Sequence, residues 1–298
     1  MTWYAFSGAL EQGFVYGLMV LGVYITFRVL HFPDLTVDGS LPLGAAVASV
    51  CITNGWDPYL ACVPAMLAGF VAGMVTGILN TKFKILHLLA SILTMIALYS
   101  INIRIMGRPN MALLNQQSVL DPLFSLGLTQ AVAGPLLFGV MAVVVVGLLV
   151  WFLNTEQGQA MRATGDNPQM ITAQGVDTHK MIIAGVGLSN ALVALAGALV
   201  AQSQGAADVN MGVGVIVAGL ASVIVGETLF GARSIGRRIA AALLGSVIYR
   251  LAIALALSLK LGAFSFTPSD INLITAILVV LALVSPQLKQ KVQARARS

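Results

Sequence analysis

The stretch Ala131–Leu153, AVAGPLLFGVMAVVVVGLLVWFL, contains no charged residue. A helix needs about 20 predominantly apolar residues to cross the hydrocarbon core of a bilayer, so this stretch is long enough to cross alone. Its reading as a membrane span decides the fold, because the text on both sides repeats the pattern. Apolar runs bounded by Gly, Pro, Asn or charge also occupy about residues 13–30, 41–54, 59–80, 86–105, 181–203, 212–230, 239–258 and 271–286, which makes nine segments. Backbone groups exposed to lipid must be paired within their own segment, and no alternating barrel pattern appears, so all nine are expected to be helices. The expected fold is an all-α polytopic membrane protein of about 8–10 transmembrane helices. It forms one transmembrane domain over 1–298, with membrane spans from 13 to 286, a polar loop over 154–180 and a basic tail over 287–298.

Composition agrees. Of 298 residues, 58% are apolar and 9% charged, with a mean hydropathy of +0.92. A soluble domain carries roughly a quarter charged residues. The excess of 16 basic over 11 acidic residues does not form a nucleic-acid-binding face, because the basic residues fall between spans and in the tail. They read as topology signals. Cytoplasmic loops are enriched in Lys and Arg, so Lys289, Lys291, Arg295 and Arg297 put the C-terminus inside. Counting back through nine crossings puts Arg28, Lys82, Lys84, Arg162, Lys180, Arg233, Arg237 and Arg238 inside, leaves Arg104, Arg108 and Lys260 outside, and buries Arg250 in a span. Met1–Gln12 lacks a basic leader, so insertion is expected to be permanent, with Trp3, Tyr4 and Phe6 forming either an interfacial helix or the ragged start of the first span. Cys51 and Cys62 read as buried thiols, the Met residues as packing, and His31, His87 and His179 show no metal-ligand spacing.

Two segments break the pattern. Phe32-Pro33-Asp34-Leu35-Thr36-Val37-Asp38-Gly39-Ser40 is polar and leads into a run too short to cross alone. Asp208-Val209-Asn210-Met211-Gly212-Val213-Gly214 likewise precedes a short, glycine-rich run. The topology orients the two oppositely, the arrangement expected of an inverted repeat with discontinuous helices at a transport pathway. Thr36, Asp38, Ser40 and Asn210 are the candidate pathway residues. Asp34 and Asp38 share one face if that segment is helical, and capping of a broken helix is their favoured role, with solute contact second. Arg250 is expected to face protein or water, either for function or by snorkelling, and Glu227 to be solvated or paired with a loop.

The longest polar stretch placed inside runs from Glu156 to Asp177. Asp166 or Asn167 caps a short helix there, Pro168 suits its first position, and Gly175 suits the left-handed residue that ends it. Arg162-Ala-Thr-Gly165-Asp166-Asn167-Pro168, followed by Ala173-Gln-Gly175-Val-Asp177, resembles the cytoplasmic coupling loop of permeases in the branched-chain amino acid and ribose import group of ATP-binding cassette transporters. The Asp34–Ser40 stretch is similar to the segment that opens the second span in the sugar permeases of that group. Val225-Gly226-Glu227 through Gly236, then Ala240 to Gly245, resembles their glycine-rich end, although Glu227, Arg237 and Arg238 stand where members more often carry Gly or a small residue. The likeness runs from about Gly13 to Pro286 and is greatest to a branch of permeases linked to amino acids, aromatic ones included.

This resemblance implies a transport subunit and not an enzyme, in a bacterial inner membrane, importing a small organic solute, with an amino acid the best guess. It also implies alternating access driven by separate ATPase subunits that dock on the loop, a second permease copy, and an extracellular or periplasmic solute-binding protein. No cofactor is expected on this chain. ATP and Mg belong to the partner, and no Gly-x-x-x-x-Gly-Lys-Ser/Thr loop is present. The competing class is a stand-alone ion-coupled carrier or channel, which has no need of a capped cytoplasmic helix. An intramembrane hydrolase has only Ser40 with His31 to offer.

Overall fold

The computed structural model describes residues 3–258 apart from 115, 126, 232 and 233, together with 260, 261, 264, 265 and 280. The ninth segment at 271–286, the basic tail and Arg233 lie outside the described residues. The other eight segments are helices. In chain order the elements are α1 (Trp3–Tyr24), continued by a π-helical turn (Ile25–Val29), α2 (Val37–Thr53), α3 (Pro58–Thr81), α4 (His87–Met106), β1 (Asn110–Ala112), α5 (Asp121–Ser125) and α6 (Gln130–Asn154). There follow α7 (Glu156–Asp166), α8 (Pro168–Ala173), α9 (Thr178–Gln204), β2 (Ala206–Asp208), α10 (Val215–Phe230) and α11 (Ile235–Ser258). Six are long and apolar enough to cross a membrane, counting α1 with its π turn; α2 and α10 are shorter.

Of the two readings of the N-terminal stretch the structure has the second, and two further details add to expectation. The first span starts at Trp3 without interruption, so Trp3 and Tyr4 extend one helix and do not form a separate interfacial one. Not every element is helical: β1 and β2 pair antiparallel, Asn110 opposite Asp208, and a two-residue pair links Lys260–Leu261 to Phe264–Ser265. Both ribbons lie in connections between spans, where backbone pairing is free of the single-segment constraint that lipid imposes. The polar loop carries two helices, not one.

Local chemistry sets the ends. Asp57 accepts from the amides of Tyr59 (2.8 Å) and Leu60 (3.3 Å), and Pro58 follows it, so α3 starts on a cap and a preset φ. Gly107 (φ 69°) and Gly205 (φ 70°) end α4 and α9 in the left-handed conformation that glycine adopts without a Cβ clash.

The core forms around α9 and α1. In their most apolar windows, 78% of α9 residues and 72% of α1 residues are buried, against 28% for α4 and 22% for α6. The inner helices are therefore packed by protein on all sides, and the outer ones turn Leu67, Val71, Leu93, Ile96, Val143 and Leu148 outward. Small residues bring α2 onto α9. A Cβ at Gly44 would overlap the Ala194 carbonyl, and one at Gly197 the Leu41 carbonyl. In lipid, where apolar surface gains little from leaving its solvent, such close backbone contact is a main source of helix association.

The connections sort by charge. At one end His31 meets Gly165, Arg28 meets Glu227, Lys84 lies near His179, and Arg162 lies near Arg238. The opposite end holds the β1–β2 ribbon, with Arg108 just before it.

Gly197→Val is expected to destabilise the bundle by about 1–3 kcal/mol, the usual cost of overpacking. Thermal unfolding in detergent measures this. Gly147→Ala is the control, since a Cβ there meets nothing within 4 Å, and its melting point should match the parent.

Candidate functional site

The first break begins where α1 loosens. The π turn gives way at Leu30, whose amide donates to the Ile25 carbonyl (3.0 Å), and the Phe32 amide donates to Thr26 (2.8 Å). His31 sits at φ 51°, a left-handed conformation uncommon outside glycine, and this turns the chain away from the α1 axis. The helix does not resume until Val37, so Asp34 and Asp38 share no helical face. They do different work.

Asp34 is fully buried. Its Oδ1 accepts from the Thr36 amide (2.9 Å) and its Oδ2 from Asn190 Nδ2 on α9 (2.7 Å). The Thr36 hydroxyl bonds Thr76 of α3 at 2.8 Å. The break is thereby tied to both neighbouring helices, and a buried polar group left without such partners costs about 1–3 kcal/mol. Thr36 and Ser40 are fully buried within this packing.

Asp38 reaches across to the second break. Its Oδ1 accepts from the Ile216 amide (2.9 Å) and its Oδ2 from the Gly214 amide (3.1 Å). These are N-terminal amides of α10, and Gly214 itself supplies no side-chain cap. The capping role expected for Asp38 is therefore met, but on α10 instead of its own helix. Gly212 lets the loop lie against the Asp38 carbonyl, which a Cβ would overlap.

A cavity of about 380 Å³ opens beside this clasp, lined by Asp38, Gly39 and Pro42 of α2, by α4 from Met95 to Asn102, and by Val209 and Val213. Of the four candidate pathway residues, Asp38 alone lines it. Asn210 is exposed on the preceding loop, its amide bonded to Asp208 Oδ1 (2.7 Å).

The polar loop is a separate projection. Thr155 accepts from the Gly158 amide (3.3 Å) to start α7, and Asn167 Oδ1 accepts from the Met170 amide (3.1 Å) to start α8, with Pro168 as its first residue. Gly175 follows α8 at φ 89°. Asp177 then caps α9 through the Lys180 amide (3.2 Å) and pairs with Lys180 Nζ (3.3 Å). The hydrogen bonds from Lys180 hold the Asp177 carboxyl below its ordinary 3.8, so the cap stays ionised at any physiological pH.

Asp166, Asn167, Pro168, Ala173, Gly175 and Asp177 are all exposed, as is Met170, and Ile171 alone anchors α8 inward. Arg162 is half-buried and lines a polar cavity of about 470 Å³ with Ser234 and Arg238. Gly165 is the joint. A Cβ there would overlap the Val29 carbonyl, and the Gly165 carbonyl lies 3.1 Å from His31 Nδ1. The loop thus rests on the residues that begin the first break.

Two charged residues of the spans are answered within the protein. Arg250 stacks over the Tyr16 ring at 3.7 Å, a cation–π contact with protein. Glu227 pairs with Arg28. Among the described residues no group of three or more His, Cys, Asp or Glu is placed to hold a metal. Sequence reasoning missed Thr76, Asn102 and Asn190. An isolated amide or hydroxyl in an apolar run carries no spacing signal, although Asn102 and Asn190 are unusual there.

Asp38→Ala would leave the Gly214 and Ile216 amides without their acceptor. A loss of about 1–3 kcal/mol is expected, with Asp38→Asn intermediate because one amide oxygen can replace one of two acceptors. Thermal unfolding of the two variants against the parent checks the order.

Three known proteins are similar to this chain. Over 281 residues, 94% of this chain and 90% of the other, the chain is 41% identical to the tyrosine transport system permease protein of Clostridioides difficile. It is 26% identical over 234 residues to the ribose import permease protein of Haemophilus influenzae, covering 77% and 70% of the two chains. A solved chain from a metal-chelate type ABC transporter in an inward-facing conformation shares the fold, with a TM-score of 0.52 at 17% identity over 96% of this chain and 85% of that one. Residues 5–284 match the family model for the branched-chain amino acid transport system permease component, and the chain belongs to that family of membrane permeases.

Proposed function

We propose that this chain is the membrane subunit of an ATP-driven importer of a small organic solute, with an amino acid as cargo. The observation that carries the reading is the exposed, doubly capped α8, joined through Gly165 to the start of the first broken helix. A helix of 6 residues that buries only Ile171 gains little from its own packing. Its worth lies in being gripped. Met170, 50% exposed beside polar Gln169 and Thr172, offers an ATPase subunit an apolar anchor with a polar rim, the usual anatomy of an interface.

The chain supplies no phosphate-binding loop, so ATP and Mg belong to the gripping partner. Nucleotide-driven movement of α7 and α8 reaches Val29 and His31 directly, and rigid-body rocking of packed helices converts it into alternating access. The basic end that carries α8 faces the cytoplasm under the positive-inside rule, which puts the tail inside as well. The opposite end, with its β ribbon, receives solute from an extracellular or periplasmic binding protein. The outward faces of α4 and α6 are available to lipid and to a second permease copy, which completes a two-fold channel. The relationship to a tyrosine permease at 41% identity supports an amino acid as cargo.

Replacing residues 168–173 with a Gly-Ser segment of equal length should abolish co-purification with the ATPase subunit and ATP-dependent uptake in proteoliposomes, while membrane insertion persists. Uptake by the solitary chain without ATP would overturn the reading in favour of a stand-alone carrier. A cysteine at Gln169 should stay unlabelled by impermeant maleimide in intact cells and react in inside-out vesicles.

A further inference from the structure

The outer surface of α3 and α4 carries a groove of about 530 Å³ between the two helices. Leu43, Ala72 and Leu98 form its buried floor, and Val71, Val75, Leu93 and Ile101, all exposed, stand along its rims. Among the described residues on its walls only Thr94 is polar, and its hydroxyl donates to the Ala90 carbonyl at 3.1 Å. The groove therefore offers an occupant apolar contact and little else. Along α3 it runs from Leu67 to Leu79, about 18 Å at a rise of 1.5 Å per residue. One leaflet of a hydrocarbon core of about 30 Å is about 15 Å deep, so the groove has the length of one lipid tail.

Beyond Leu79 the chain is basic. Lys82 follows Leu79 by three residues, and its amide still donates to the Ile78 carbonyl (2.9 Å), so it lies one turn further along the same face of α3. Lys84 comes next at φ 55°, in a turn that two bonds fix to the end of α3. The Ile85 amide donates to the Leu79 carbonyl (3.2 Å), and Asn80 Nδ2 donates to the Ile85 carbonyl (2.8 Å). Lys84 also lines a recess of about 260 Å³ with Asn80, Thr81 and His87. Both lysines are exposed, and neither pairs with a carboxylate among the described residues. Residues 58–120 contain no Asp or Glu, so nothing on this hairpin answers their charge.

We propose that the α3–α4 groove holds one acyl chain of an anionic phospholipid, whose phosphate group is bound by Lys82 and Lys84. The groove alone does not choose between lipids, because all tails are similarly apolar. The lysines choose, each favouring an anionic headgroup by about fivefold. A second permease copy fits this surface less well. A two-fold interface sets one patch against itself, so a groove would face a groove. With the axis along the membrane normal, Lys82 and Lys84 would also meet their own copies with no acid between them. This site goes beyond the importer reading and requires neither ATP nor an ATPase.

The test places the full chain in phosphatidylcholine vesicles, with Trp3→Phe, Trp56→Phe, Trp151→Phe and Leu93→Trp, so that the sole indole stands on the rim of the groove. Tail-brominated phosphatidylglycerol should quench its fluorescence at about a tenfold lower lipid fraction than tail-brominated phosphatidylcholine. In the control, Leu148→Trp takes the place of Leu93→Trp. Leu148 is exposed on α6 and lies six residues from the same basic end as Leu93 does on α4, and there the two lipids should quench alike. Lys82→Gln with Lys84→Gln should bring the two curves at position 93 together. Ala97→Phe, which fills the groove from an exposed position, should do the same. Equal quenching by the two lipids at position 93, an equal preference at position 148, or a preference that survives either change overturns the proposal. So does an absence of quenching by both lipids, which would mean that another helix covers the groove. The comparison of positions 93 and 148 with both lysines in place decides the matter even where a substituted variant fails to fold.

Discussion

Two helices stop and restart inside an apolar protein, and every backbone group they release has to find a partner there. In water a frayed helix end is solvated. In the interior of a membrane protein an unpaired amide or carbonyl is a penalty comparable to a lost hydrogen bond, and only protein can remove it. Asp38 removes it for α10, Asn102 for the Gly39 carbonyl, and Asp34 for the Thr36 amide. Three side chains on α2, α4 and the first break therefore hold the two interrupted helices in one arrangement. Because Asp38 starts at one break and ends at the other, the breaks are a single structural unit despite lying far apart in sequence.

That unit is also where the projecting loop makes contact with the spans. The path is short: α7 ends at Gly165, Gly165 rests on Val29 and His31, and three residues later Asp34 binds Asn190 in the centre of α9. Each step is a short contact, without slack from a long flexible side chain. The π turn at Ile25–Val29 lies at the start of this path, and such turns carry a looser hydrogen-bond register than the α-helix around them. A push at α7 meets a helix end already unwound at that point, while α1 as far as Tyr24 stays locked in the core.

What the sequence made legible follows from which interactions are local. Span positions depend on runs of apolar residues, so eight described segments appear where hydropathy puts them. Caps depend on residues one to three positions away, so Asn167 with Pro168 and the stop at Gly175 were readable. Asp38 was readable as a cap because Asp favours free amides. Its recipient was not, since no local rule links residue 38 to residue 216. The same limit hid Asn102 and Asn190, whose partners are Gly39 and Asp34. Thr36 and Ser40 look like pathway residues by polarity, yet both are fully buried, and the Thr36 hydroxyl is taken up by Thr76 of α3. Helix α7 was missed for the opposite reason: it carries so many polar residues that it resembles a plain connector until its Gly165 face is seen against Val29.

Charge inside the bundle obeys the same economy. Arg250 rests on Tyr16, Arg28 pairs with Glu227, and Glu11 accepts from Ser203. In each case the partner comes from a different helix, so each contact also fixes one helix against another: α11 to α1, the π turn to α10, and α1 to the end of α9. An ion pair in low dielectric is weak evidence of net stability, because desolvation offsets much of the attraction, but breaking one leaves a lone charge and is strongly unfavourable. Such pairs therefore act more as registers than as glue. The interior is specified by polar contacts that tolerate no slip, whereas the outer faces of α3, α4 and α6 carry mainly apolar side chains, Leu67, Ile96 and Val143 among them, that any acyl chain or neighbouring helix satisfies. A bundle built this way keeps its shape from within and leaves its periphery free to be covered by lipid or by another helix.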